Sequence, residues 1–105
     1  MTERIGFKMR LKPGFEEEYR RRHDAIWPEL EALIRKNGVS DYSIFLDPET
    51  LTLFGVQKKG PGSLPGALAD EPVMRRWWTF MKDIMEANPD DSPVVKPLVE
   101  VFHMD

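Results

Sequence analysis

The period of the hydrophobic pattern changes abruptly at Pro13-Gly14, and that change does most to limit what the chain can fold into. Before it, Ile5, Phe7, Met9 and Leu11 alternate with Gly6, Lys8, Arg10 and Lys12. A period of two marks a strand with one buried face. Pro13-Gly14 is a turn pair that ends extended structure. After it, Phe15, Tyr19, His23, Ile26, Trp27, Leu30, Leu33 and Ile34 recur at steps of three and four, the stripe of an amphipathic helix. Asn37-Gly38 caps that helix, because glycine enters the left-handed conformation without steric cost. A strand feeding a helix across a two-residue break begins an α+β domain.

The remaining elements follow in the same way. Short strands are predicted over Tyr42 to Leu46 and Leu51 to Val56, joined by Asp47-Pro48-Glu49-Thr50, where Pro48 pre-sets a turn dihedral. Lys58 to Gly66 (KKGPGSLPG) reads as an irregular surface connection. A second helix is predicted from about Asp70 to Ala87, with Pro72 in its first turn. Met74, Trp77, Trp78, Met81, Ile84 and Met85 share its buried side. Asn88-Pro89-Asp90-Asp91-Ser92-Pro93 forms a rigid loop, and Leu98 to Met104 a last strand. The order β-α-β-β-α-β is the ferredoxin-like sandwich, a four-stranded antiparallel sheet with both helices on one face. With 105 residues, the span 1–105 is expected to be a single domain. The last three strands carry apolar residues on both faces, such as Tyr42, Ile44 and Leu46 against Phe45. Two helices cover only one face, so a second copy is expected on the other, in a two-fold homodimer.

Composition removes whole classes of function. A net charge of −3 gives no basic surface for nucleic acid. The absence of cysteine excludes disulfides, thiolate nucleophiles and zinc-thiolate sites. No apolar run approaches the roughly 20 residues of a membrane span. The start, MTERIGFKMR, lacks a signal peptide's apolar centre, and a soluble cytoplasmic protein is expected.

No cofactor motif and no metal-ligand spacing stands out. The glycines of KKGPGSLPG match no phosphate loop, and the adjacent His23 and Asp24 face different sides of a helix. What is left is side-chain acid–base chemistry. His23 can give and take protons near neutral pH, and Tyr19 lies one turn before it on the same stripe. The alternative is a histidine that only closes the edge of the core. Pro28 cannot donate to the carbonyl of Asp24, so the helix is expected to bend beyond His23 and leave an unpaired acceptor there. Adjacent helical residues point about 100° apart, so of Trp77 and Trp78 one packs while the other borders a cavity. Flat rings beside polar groups suit a sugar; two core tryptophans are the plainer account. Tyr42 opens a strand with its hydroxyl at the end. Asn88 and Asp90 are accessory hydrogen-bonding candidates or turn formers. His103 reads as structural on a strand face with Val99 and Val101. Arg20-Arg21-Arg22 reads as the solvated back of the first helix, balanced by Glu16, Glu17 and Glu18.

Taken together, YRRRHxxIWPEL (Tyr19 to Leu30), Asp41-Tyr42, Arg76-Trp77-Trp78, Met81 and Asn88 to Pro93 (NPDDSP) resemble the L-rhamnose mutarotase family over nearly the whole chain. The resemblance implies a dimeric α+β barrel built from ferredoxin-like units, and no cofactor. It implies His23 as general acid/base and Tyr19, Tyr42, Trp77 and Trp78 as sugar contacts. The implied reaction interconverts the α and β anomers of L-rhamnopyranose by ring opening and reclosure. Two departures from the family's pattern are Asp24-Ala25, where an Asn-Pro pair is common, and the Gly/Pro-rich segment 58–66. The competing functions are a small dimeric barrel monooxygenase acting on an aromatic substrate, and a non-catalytic sugar-binding module.

Overall fold

In the computed structural model, which describes residues 3–60 and 67–105, strands and helices divide into one sheet and one helical layer. The sheet contains β1 (Glu3–Arg10), β2 (Val39–Asp47), β3 (Thr52–Lys59) and the short β4 (Lys96–Pro97), in the order β2-β3-β1-β4. All pairings are antiparallel. The helices are α1 (Glu16–Asp24), α2 (Pro28–Lys36) and α3 (Pro72–Met81), the last preceded by a 3₁₀ turn over Ala67–Asp70. The α+β class and four-stranded antiparallel sheet agree with the hydrophobic pattern. Part of the Gly/Pro-rich connection, residues 61–66, lies outside the described residues, whereas Lys58 and Lys59 extend β3.

The alternation in β1 does what its period requires. Met9 is buried and faces Leu53 across the β1–β3 pairing. These join Leu11, Leu30, Met74, Trp77 and Met81 in one core. At the β2–β3 turn the Asp47 carbonyl accepts from Leu51 N–H at 2.8 Å, and the Asp47 carboxylate accepts from Glu49 N–H at 3.0 Å.

Three expected elements are corrected. The single helix from Phe15 to Ile34 is two. Proline disfavours the helical conformation in the residue before it, and Trp27 is accordingly extended (φ −61°, ψ 127°). Pro28 is thus the first residue of α2, where the missing N–H costs nothing. No bend exposes the Asp24 carbonyl in mid-helix. Instead, α1 closes with Ala25 N–H donating to Arg21 and Ile26 N–H to His23.

The second helix stops at Met81 rather than Ala87. Beyond it the backbone turns onto β1: Lys12 N–H donates to the Ile84 carbonyl at 2.9 Å and Glu86 N–H to that of Arg10 at 3.0 Å. Ile84 and Met85 are buried as expected, but off the helix. The last strand is Lys96–Pro97 rather than Leu98 to Met104. Beyond it Leu98 N–H still donates to the Gly6 carbonyl of β1 at 2.9 Å, but among the described residues no ladder continues past that bond, leaving Val99 85%, Val101 92%, Phe102 79% and Met104 78% exposed. His103 accordingly sits on no strand face; it is exposed and bonded to Arg4.

No helix among the described residues is long and apolar enough to cross a membrane.

Candidate active site

A groove of about 1040 Å³ opens between the helical layer and the β2 end of the sheet. Tyr19 and His23 come from α1, Tyr42 and Ile44 from β2, and Met74, Trp77 and Trp78 from α3. All five residues singled out as catalytic or sugar-contacting therefore meet in one place. Helical spacing brings the α1 pair together, since residues four apart lie one turn above each other.

His23 is half-buried and held on three sides. Its Nδ1 lies 3.1 Å from the Tyr19 carbonyl oxygen. A carbonyl only accepts, so Nδ1 carries the proton in this bond and Nε2 is left as the free basic nitrogen. The Tyr19 ring stacks on the imidazole at 4.3 Å between centroids, and the Trp77 ring meets it edge-on at 5.4 Å. The partner that fixes the imidazole is thus the backbone of Tyr19, while its side chain supplies a stacking face. Burial lowers the pKa of His23 below its ordinary value of 6.5; the Tyr19 carbonyl and the Asp24 carboxylate oppose that shift without reversing it. The ring is therefore neutral at pH 7.

The two tyrosines carry the other polar groups. Tyr19 is buried, and loss of water pushes its hydroxyl well above the usual phenol range, with a smaller contribution from nearby Tyr42. Tyr42 keeps 40% of its surface exposed, yet desolvation pushes it up to about 12. Both hydroxyls stay protonated at neutral pH and act as donors. Tyr42 does not open its strand. It follows a bulge at Asp41, whose φ is +48°, and the register skips between Ser40 and Ser43. The inserted residue lets Val39 and Tyr42 both face the helical layer despite their spacing.

The tandem tryptophans divide as helical geometry requires. Trp77 is 7% exposed and belongs to the core, while the half-buried Trp78 also borders the groove. Trp27 braces this wall, its ring 5.0 Å from Trp77 and 5.6 Å from Phe80. The sequence places Trp27 on the apolar stripe but gives no sign that Trp27, Phe80 and Trp77 stack together. Asn88 and Asp90 do not line the groove. The Asn88 amide donates to Ser92 and Pro93, and the Asp90 carboxylate accepts from the Ser92 hydroxyl and N–H, so both polar groups are used within their own loop. Asp91 instead reaches α3, accepting from Thr79 at 2.9 Å and Lys82 at 3.2 Å. Among the described residues no group of three or more His, Asp or Glu side chains is arranged to hold a metal ion.

Comparison with known proteins gives the same picture. The family model described as L-rhamnose mutarotase matches residues 4–104. A protein of Leptothrix cholodnii named L-rhamnose mutarotase is 57% identical over 104 residues, covering 99% of this chain and 98% of its own. One of Bacteroides thetaiotaomicron with the same name is 59% identical over 103 residues, covering 97% and 98%. The crystal structure of an L-rhamnose mutarotase from Formosa agariphila superposes with a TM-score of 0.91 at 52% identity, covering 98% of this chain and 99% of that one. A conserved protein from Methanosarcina mazei, 14% identical with a TM-score of 0.60 over 93% of this chain and 91% of that one, shares the fold alone. Matched along nearly its whole length by the family model and by these relatives, the chain belongs to the L-rhamnose mutarotase family.

Proposed function

We propose that this protein is an isomerase that interconverts the α and β anomers of L-rhamnopyranose. The observation that carries the reading is the placement of His23: its Nδ1 lies 3.1 Å from the Tyr19 carbonyl oxygen, an acceptor that favours the Nδ1–H tautomer and leaves Nε2 basic on a ring that lines the groove. Ring opening requires three coupled changes. The anomeric hydroxyl gives up its proton, the C1–O5 bond breaks with its electron pair going to O5, and O5 gains a proton. Nε2 takes the first proton, and the Tyr19 carbonyl stabilises the resulting imidazolium through Nδ1–H. The Tyr19 and Tyr42 hydroxyls are the donors available to the ring oxygen. After the aldehyde turns, the same groups act in reverse and every proton returns. Positioned acid–base catalysis contributes about 10²–10⁴-fold. The half-buried Trp78 and the ring of Tyr42 offer flat faces to the C–H side of the pyranose.

NMR exchange spectroscopy on equilibrated L-rhamnose tests this directly. Addition of the protein should accelerate anomer exchange, and His23→Gln should abolish the acceleration with folding intact. Unchanged exchange with wild-type protein refutes the activity. Tryptophan quenching by rhamnose without exchange would instead indicate a sugar-binding module.

The ferredoxin-like sandwich, as a single domain over 1–105, is proposed as one half of a dimeric α+β barrel in the cytoplasm. The strand order β2-β3-β1-β4 supports the first part. Phe45, 63% exposed on the sheet face away from the helices, and the apolar C-terminal segment support the second. Light scattering coupled to size exclusion should give the mass of two chains. A stable monomer at micromolar concentration refutes the dimer.

A further inference from the structure

Arg22, the residue before His23, departs most from its sequence reading. It belongs to no solvated face: its side chain is 10% exposed, against 70% for Arg21. Nε donates to Glu18 at 2.7 Å. Nη1 donates to the Phe80 carbonyl at 2.7 Å and to Asp83 Oδ1 at 2.9 Å, and Nη2 to Asp83 Oδ2 at 3.2 Å. The guanidinium also lies 4.3 Å from the centre of the Phe80 ring.

These contacts join two helix ends. Glu18 and Arg22 are on α1, Phe80 is in the last turn of α3, and Asp83 follows it. The Phe80 carbonyl belongs to the terminal group that α3 cannot satisfy internally, and a cation there also meets the negative end of the helix. The same two turns carry His23 and Trp77, whose rings touch at 5.4 Å, and Phe80 packs on Trp77 at 5.7 Å. Moving α1 relative to α3 would therefore change the setting of the imidazole.

We propose that Arg22 is a positioning residue for the acid–base step: its guanidinium locks α1 onto the end of α3 so that His23 keeps its Nδ1–H bond to Tyr19 and its edge contact with Trp77. The proposal rests on His23 being the proton carrier. It requires the planar fork of arginine. Lysine places its donors on one nitrogen and cannot reach Glu18, the Phe80 carbonyl and both oxygens of Asp83 together. The clamp stays charged where His23 titrates, because Arg21 and Arg22 hold Glu18 down at about 2 and Arg22 holds Asp83 below the usual carboxylate range.

Arg22→Lys and Asp83→Asn test it, with anomer exchange, the thermal midpoint and the ¹⁵N spectrum of the His23 ring as readouts. Arg22→Lys should lower kcat about tenfold or more with little change in KM, since a displacement of about 1 Å at a catalytic group costs up to 10²-fold. The ¹⁵N spectrum should lose the dominance of the Nδ1–H tautomer. Asp83→Asn, which alters an exposed carboxylate, should shift both readouts the same way by less. Wild-type kcat with a wild-type tautomer in Arg22→Lys overturns the proposal. So does a loss of activity that follows only the unfolded fraction while the His23 spectrum is unchanged. Should Arg22→Lys fail to fold, Asp83→Asn decides on the same criteria. If the wild-type protein shows no anomer exchange, the proposed activity fails by itself, and the tautomer spectrum still decides the clamp.

Discussion

Gly55 offers the sharpest test of how the groove is built. It pairs with Phe7 across β1 and β3, on the face toward the helices. A Cβ at Gly55 would stand 2.3, 2.5 and 2.9 Å from three atoms of the Phe7 ring, which therefore lies over the glycine and fills the place of a side chain. To regain ordinary contact at 3.4–4 Å, the nearest ring atom must retreat by about 1.1–1.7 Å. Its neighbour is Tyr42, meeting it edge-on at 6.1 Å. Gly55→Ala thus overpacks the core and presses on Tyr42, which lines the groove. Overpacking of this kind costs about 1–3 kcal/mol, and each kcal/mol lowers the midpoint of a domain this size by roughly 4–8 °C. Calorimetry should show that drop, and anomer exchange should show a raised KM. The cause is separable by a double-mutant cycle with Phe7→Leu. A smaller side chain at position 7 should recover about 1 kcal/mol or more of the Gly55→Ala penalty, beyond the ~0.3–0.5 kcal/mol scatter of independent sites. Additive effects, or a Gly55→Ala protein as stable and active as wild type, would refute the argument.

Two other outcomes follow from the geometry. Because burial lowers the pKa of His23, the folded protein binds its proton less readily than the unfolded chain does. The stability due to neutral His23 is present above pH 6.5 and is lost as pH falls through that value toward the lower folded-state pKa. The acid limb of kcat/KM should likewise fall below 6.5, and a limb at or above it contradicts the buried neutral imidazole. Pro28→Ala should leave activity near wild type and cost about 0.4–1 kcal/mol by loosening the unfolded chain. Trp27, held between Trp77 and Phe80, keeps the break between α1 and α2; a marked loss of exchange in this variant would restore a catalytic part for the proline.

The sequence alone determined whatever depends on short-range periodicity. The switch from period two to steps of three and four locates β1 and the apolar stripe with Tyr19 and His23 on one side. The tandem at Trp77-Trp78 divides between core and groove because one residue of helix turns the side chain by about 100°. Tertiary structure decided where elements end and what they meet. Pro28 was readable as a disruption, but only Trp27, extended and packed on the α3 aromatics, makes it a helix start. Ile84 and Met85 keep a helical spacing, yet β1 offers their backbone sheet-like bonds and the helix ends at Met81. The segment from Leu98 reads like a strand, but after the single bond from Leu98 N–H to Gly6 it forms no further ladder among the described residues. Arg22 shows the limit most clearly. Three consecutive arginines are alike in sequence, and only the approach of Phe80 and Asp83 from about 60 residues away buries one of them. Hydrophobic period is local, whereas desolvation and hydrogen-bond partners depend on which distant segments the fold brings together.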